Sequence, residues 1–303
     1  MTDVKSDVSV IIPYYNRGKY VHQTIQSVLA QTLRPLEIVI VNDCSRESAR
    51  RELDCYAGIC KILDLPKNVG LAGARNAGMK VARGQYIALL DDDDIWLPRK
   101  LEVQRGYMEQ HPECFLVHTA VWAFFSNKPE EFWTWYVPGA LTLAHSLTDL
   151  GWVCPSTMFF RAQDAHAVGG FDPAFRQCED RDFVIRCCAA GLRIHCINEP
   201  LARLRREDHD RLTRHKWRIL RTDLKMCWKH RRHYFGAYGV RGILSFILEK
   251  TRTATRETRY LNAAGRLVLR FVEPRYTLKK RFQDPIVSGT GETVEGFAVP
   301  NLR

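Results

Sequence analysis

The amino-acid sequence predicts a doubly wound, mainly parallel α/β sheet flanked by helices. Two observations carry this. Buried-looking apolar runs alternate with helical patterns over residues 8–90. Three of those runs end in polar clusters: Pro13 to Asn16, Asn42-Asp43 and Asp91 to Asp94. In open parallel sheets, ligands bind beyond the carboxyl ends of the strands, so the three clusters form one candidate pocket.

Val8-Ser9-Val10-Ile11-Ile12 reads as the first strand, broken by Pro13-Tyr14-Tyr15-Asn16. Val21, Ile25, Val28 and Leu29 have helical spacing. Leu36 to Val41 is a second strand, Arg46 to Ala57 a polar helix, and Cys60 to Leu65 a third strand. A small-residue helix from Leu71 to Ala82 carries Arg75 and Asn76. Tyr86 to Leu90 is a fourth strand. Leu97, Leu101 and Met108 share one face of the next helix, and Cys114 to Trp122 reads as a strand. Glu130 to Pro138 is dense in aromatic residues. Ser156 to Arg161 is a further strand, and Gly169 to Pro173 a turn. A helix follows Glu179-Asp180, and the strand from Leu192 to Ile197 ends near Pro200. Beyond Thr213, Trp217, Leu220, Leu224, Cys227 and Trp228 share a helical face, as do Leu261, Ala264, Val268 and Phe271. Gly236, Gly239 and Gly242 punctuate a connection between helices.

Four successive aspartates are a charge problem. Two unit charges about 5 Å apart repel by roughly 1 kcal/mol in water and about 3 kcal/mol at an effective dielectric near 20. A hard divalent cation with oxygen ligands relieves this; a fully solvated acidic turn also would. An EF-hand is excluded, because Ile95 and Trp96 occupy the fifth and sixth loop places. Neither a Gly-x-Gly-x-x-Gly fingerprint nor a P-loop is present, so glycine loops do not hold any phosphate here.

The chain has 303 residues, of which 46% are hydrophobic, enough for a sizeable core. No apolar run reaches transmembrane length and the N-terminus lacks a signal-peptide core, so a protein that is cytoplasmic or peripheral on the inner face of the membrane is expected. Ten cysteines without a Cys-x-x-Cys fit buried free thiols in a reducing compartment. The net charge of +11 is uneven: residues 211–281 hold 20 Lys+Arg against 4 Asp+Glu, leaving −5 elsewhere. This basic segment fits an anionic membrane surface, an acidic acceptor or partner, or an ordinary solvated face. Its interleaved Trp217, Trp228, His230 and Tyr234 also raise a nucleic-acid-binding alternative with an inactive N-terminal domain. That alternative leaves the N-terminal motifs unexplained, and no nucleic acid is expected.

The motifs, taken in order, resemble glycosyltransferase family 2, nucleotide-sugar enzymes of the GT-A fold. They are Val8 to Asn16, Ser27 to Thr32, Glu37 to Ser45, Asn68-Val69-Gly70 with Ala74 to Gly78, Gly84 to Asp94, Gly169 to Asp172, and Glu179 to Asp182. The resemblance covers about 7–213. It implies a catalytic domain over 1–213, with nucleotide-sugar binding in about 7–112 and the acceptor half in about 113–213. A basic helical extension at 214–283 and a flexible tail at 284–303 would follow.

The resemblance also implies roles. Pro13, Tyr15 and Asn16 would line the base pocket, with the Tyr15 ring against a pyrimidine. Asp43 would accept from the base imide, and Arg75 would lie at the base and phosphate side. Asp91 and Asp92 would reach the nucleotide sugar, and Asp93 with Asp91 would bind Mn²⁺ or Mg²⁺. The register within the tetrad stays open by one, so Asp94 remains a candidate. Asp180 matches the base of an inverting transferase using a nucleoside-diphosphate sugar, UDP foremost, and a glycan or lipid-linked acceptor. Read without the resemblance, Asp180 is a helix N-cap, Asp43 a turn former, Arg75 a solvated arginine, Tyr15 core, and His209 a surface residue or a further metal ligand. Three residues depart from the family pattern: Asn42 for an acid, Cys44 for Gly, and Arg181 for Trp. Cys44 is expected to restrict its turn, and Arg181 to influence acceptor choice.

Overall fold

The computed structural model describes residues 6–135, 139–148, 151–206 and 216–254. Strand β1 (Val8–Tyr14) is buried at every position because helices cover both faces of the sheet around it. It pairs in parallel with β2 (Glu37–Asn42) on one side and β4 (Tyr86–Leu89) on the other, and β2 pairs in parallel with β3 (Lys61–Asp64). The crossovers are α1 (Gly18–Leu29), α2 (Glu47–Arg51) and α3 (Gly70–Val81). Successive side chains of β1 feed opposite cores. Val8, Val10 and Ile12 pack with Val21, Ile25 and Val28 of α1, whereas Ile11 packs with Ala72, Ala74 and Met79 of α3. The small residues of α3 have a steric cause: a Cβ on Gly78 would lie 2.5 Å from Ile11 Cγ2.

The chain continues through β5 (Ile95–Trp96), α4 (Lys100–Gln110), β6 (Cys114–Phe125), β7 (Lys128–Trp135), β8 (Ala140–Leu141) and α5 (Leu143–Ser146). It then forms β9 (Phe159–Arg161), α6 (Ala162–Ala167), α7 (Glu179–Ala189) and β10 (Arg193–Arg205). The sheet order is β3-β2-β1-β4-β9-β6-β10-β5, with β9 inserted antiparallel and β10 parallel to β6.

Several elements differ from expectation. The polar helix shortens to α2 and a 3₁₀ turn at Asp54–Tyr56. The aromatic-rich stretch is strand β7, paired with β6. Ser156 lies in a 3₁₀ turn before β9. Strand β10 runs through Pro200, because register shifts on either side absorb the missing N–H donor. None of the ten cysteines forms a disulfide, and Cys44 and Cys55 are exposed rather than buried.

Helices α8 (Lys216–Lys229) and α9 (Arg231–Ala254) follow. Of the three glycines, Gly239 alone has non-helical backbone and kinks α9. The second predicted face, Leu261 to Phe271, and the expected tail lie outside the described residues. Met226, Cys227 and Tyr234 form a core cluster with Leu147, Phe175 and Ile185. The basic helices thus share a core with α7. Polar contacts reinforce it. Asp182 is fully buried and accepts from Arg186 Nε at 2.8 Å and His230 Nε2 at 2.8 Å, with Lys229 Nζ at 2.6 Å. Burial alone would raise the Asp182 carboxyl, but the bonds from His230, Lys229 and Arg186 hold it down to about 2. A depressed carboxyl contributes stability above its unfolded value near 4, lost as pH falls toward 2.

Asp182→Asn removes the charge that α8 and α9 share. It should cost about 3 kcal/mol in denaturant unfolding. Hydrogen exchange should then speed up first in the backbone around Met226 and Tyr234.

Candidate active site

Backbone hydrogen bonds join the three strand-end clusters. Tyr15 N–H donates to Asp92 Oδ2 at 3.1 Å, and Asp43 N–H donates to the Tyr14 carbonyl at 2.9 Å. Asn16 N–H donates to Ser45 Oγ at 3.1 Å, and its Oδ1 accepts from Arg46 N–H at 2.8 Å. Asn16 does this at φ 58°, a left-handed conformation that Asn tolerates. Pro13 is buried opposite Val41. Tyr15 is 48% exposed, which removes the core reading.

Asp43 is buried and accepts from Val69 N–H at 2.7 Å and Gly70 N–H at 2.8 Å. It thereby satisfies amides at the start of α3. Each oxygen keeps a further lone pair for a ligand. Asn42 donates to Asp64 Oδ1 at 2.7 Å and accepts from Ser45 N–H at 3.1 Å. An acid there would face Asp64 as a like charge, which accounts for the amide. Cys44 adopts φ 61° despite its side chain. The turn is therefore strained rather than rerouted.

The tetrad alternates. Asp94 is buried and fully engaged: its Oδ2 accepts from Ser156 Oγ at 2.5 Å and its Oδ1 from Arg205 N–H at 2.9 Å. Asp92 is 8% exposed at its side chain and also meets Arg17 Nη1 at 3.3 Å. Asp91 and Asp93 are each 23% exposed at the side chain. Asp91 and Asp93 are thus the acids of the tetrad with the greater access to solvent. Arg17 pairs with Asp93 as well as Asp92. Burial pushes Asp92 up to about 8, with Arg17 pulling against it and Asp93 adding to it. Asp93 and Asp94 are raised for the same first reason. The arginines thus leave the cluster short of positive charge, and its donors are hard oxygens. That chemistry fits Mn²⁺ or Mg²⁺, which need only one or two carboxylates when phosphates complete the shell. Among the described residues no group of three or more acids, histidines or cysteines is placed to hold a metal ion by itself. His209 lies outside the described residues.

Arg75 is not a solvated arginine. It is fully buried, and it donates to Asp91 Oδ1 at 2.7 Å and Glu179 Oε1 at 2.6 Å. The tetrad is thereby tied to the first turn of α7, where Asp180 sits. The N-cap of α7 is Cys178, at φ 60°, so Asp180 is not the cap. Its Oδ1 accepts from Arg181 N–H at 2.8 Å. Burial first, then the Glu179 charge, pushes Asp180 up to about 7, against the pull of Arg75.

Arg181, expected to influence acceptor choice, is engaged inside the protein. It is buried against Asp223 Oδ1 at 3.3 Å and donates to the Leu147 carbonyl at 2.7 Å. Sequence reasoning missed Arg17, Ser156 and Arg205. Arg17 had a signal, a cation beside the first polar cluster. Ser156 and Arg205 had none, because they meet Asp94 from 62 and 111 positions away.

A profile described as "Glycosyl transferase family 2" matches residues 9–169. The teichuronic acid biosynthesis glycosyltransferase TuaG of Bacillus subtilis, itself described as putative, is 31% identical over 222 residues, covering 72% of this chain and 86% of TuaG. Over a shorter stretch of 110 residues, 36% of this chain and 44% of the relative, the chain is 38% identical to an Escherichia coli enzyme. That enzyme is named UDP-Glc:alpha-D-GlcNAc-diphosphoundecaprenol beta-1,3-glucosyltransferase WfgD. The crystal structure of S. aureus TarS 1–349 in complex with UDP-GlcNAc superposes with a TM-score of 0.63 at 18% identity, covering 83% of this chain and 74% of that one. This likeness places the fold among GT-A structures.

Relieving the turn after β2 should stabilise the protein. Cys44→Gly removes a strained left-handed residue and should raise unfolding stability by about 1 kcal/mol, read as a higher denaturation midpoint.

Proposed function

The chain belongs to glycosyl transferase family 2, and we propose that it is a metal-dependent, inverting transferase that moves a sugar from a UDP-sugar to a lipid-linked glycan acceptor in cell-envelope synthesis. One observation carries the reading of the site. Arg75 ties the solvent-facing Asp91 to the first turn of α7, and this tie supports reading the tetrad as a diphosphate site beside a basic carboxylate, Asp180. The donor and acceptor classes are supported by relatives: WfgD is named for UDP-Glc and a diphosphoundecaprenol acceptor, and TarS was solved with UDP-GlcNAc.

The Tyr15 ring and Pro13 would flank the base, and the open lone pairs of Asp43 would accept from its imide. Asn16 fixes the loop that carries Tyr15. Asp92 holds that loop through the Tyr15 amide. Asp91 and Asp93 would hold a divalent cation, which supplies charge neutralisation to the departing diphosphate when bound. Asp180 keeps one oxygen on the Arg181 amide and would use the other to take the proton of the acceptor hydroxyl. The acceptor oxygen then bonds to the anomeric carbon as the bond from that carbon to the phosphate oxygen breaks. Attack from the face opposite the leaving group inverts the centre, and no covalent enzyme intermediate forms. A carboxylate pushed up to about 7 is matched to proton removal near neutral pH.

Asp180→Asn should lower sugar transfer by at least ~100-fold while calorimetric affinity for the UDP-sugar stays within about twofold. Equal turnover would remove Asp180 from the role. In the wild type, kcat/KM should rise with pH through about 7 as Asp180 ionises. Glu179→Gln removes the neighbouring negative charge, so the Asp180 carboxyl falls and this limb should move to lower pH. A limb moving upward would contradict the assignment.

A further inference from the structure

Helix α8 has two apolar faces, and among the described residues only one is packed. Leu220, Met226 and Cys227 turn inward, while Trp217 is 64% exposed, Trp228 72% and Leu224 40%. At about 100° per residue, Trp217, Arg221, Leu224 and Trp228 fall within roughly 60° of one another. They form one outward stripe. Sequence reasoning had placed Trp217, Leu220, Leu224, Cys227 and Trp228 together; packing separates them. The stripe extends onto α9, where the Arg231 guanidinium lies 4.9 Å over the Trp228 ring and Phe235, one turn on, is exposed.

The charge around this stripe has one sign. From Lys216 to Leu248 the sequence holds eight Lys+Arg and one acid, Asp223. Asp223 is buried against Arg181, so it does not offset the surface. Arg218, Arg221 and Arg232 are exposed and have no carboxylate partner among the described residues. No helix among the described residues is long and apolar enough to cross a membrane.

We propose that the outward face of α8 and the start of α9 is a docking surface for an anionic lipid bilayer. Indole rings flanked by arginines suit the headgroup boundary, where the ring enters the apolar layer and the cation meets phosphate. The inward face of α8 meets α7 through Asp223 and Arg181. A bilayer on the outward face therefore lies about one helix diameter, ~10 Å, from α7. The inference rests on the surface chemistry and stands independently of the transferase reading.

The test is co-sedimentation of the full chain with phosphatidylcholine vesicles, with and without about one-third phosphatidylglycerol. The wild type should pellet with the anionic vesicles and stay in solution with the neutral ones. Trp217→Ser with Trp228→Ser should lower the partition coefficient at least ~10-fold. Changing Arg218, Arg221 and Arg232 to Gln should lower it about fivefold per residue. Both variants should melt at the wild-type temperature, since the side chains changed face solvent. Three results would overturn the proposal. One is a wild type that stays in solution with anionic vesicles. Another is a double tryptophan variant that pellets like the wild type. The third is a lipid-free dimer, seen by sedimentation velocity and broken by the tryptophan changes, which would make the occupant a second copy of the chain.

Discussion

One buried guanidinium holds this structure's charged parts in place. Arg75 is fully out of solvent, and a buried cation persists only when paired. Its partners come from opposite ends of the fold. Asp91 leaves strand β4, and Glu179 opens helix α7, 104 positions after Arg75 in the chain. The pairing ties the tetrad to the turn that carries Asp180. It also sets the local field, because Asp180 then sits beside the Glu179 charge in a desolvated place. The small residues of α3 serve the same end. With Gly78 and Ala74 against β1 and its neighbours, the helix lies close enough to the sheet to bury Arg75.

Around that clamp, acids and bases divide into those that build and those that face the cleft. Asp94 builds: it binds Ser156 and the backbone of β10, and Arg205 adds a bond from Nε to the Asp93 carbonyl at 2.9 Å. Asp43 builds the start of α3 while keeping lone pairs free. Asp182 and Arg181 build outward, fastening α8 and α9 to the helix that carries Asp180. The basic segment is therefore mechanically continuous with the site helix.

The part of this that was legible in the sequence follows from periodicity. The β1-to-β4 unit was readable because its strands are buried on both faces and so appear as unbroken apolar runs. The tetrad was readable as a site because four like charges at a strand end demand a partner. The register within it was not. Adjacent aspartates look identical in sequence, and only burial, set by the distant Ser156 and Arg205, separates Asp94 from Asp93. The partners of Arg181 were unreadable for a related reason. One step along a helix turns a side chain by about 100°, so its place beside Asp180 does not reveal that it meets Asp223 of α8. The outward stripe of α8 was hidden by its own regularity, since the spacing of apolar residues reports a face without saying what covers it.

In the proposed site the tetrad presents Asp91 and Asp93 to a metal-bridged nucleoside diphosphate. The most direct measurement is calorimetric titration of UDP into the wild type and Asp93→Ala, each with and without Mn²⁺. The account predicts that the wild type binds UDP far more tightly with Mn²⁺ and that Asp93→Ala loses this enhancement. Affinity indifferent to Mn²⁺ in the wild type, or an enhancement that survives Asp93→Ala, would contradict it.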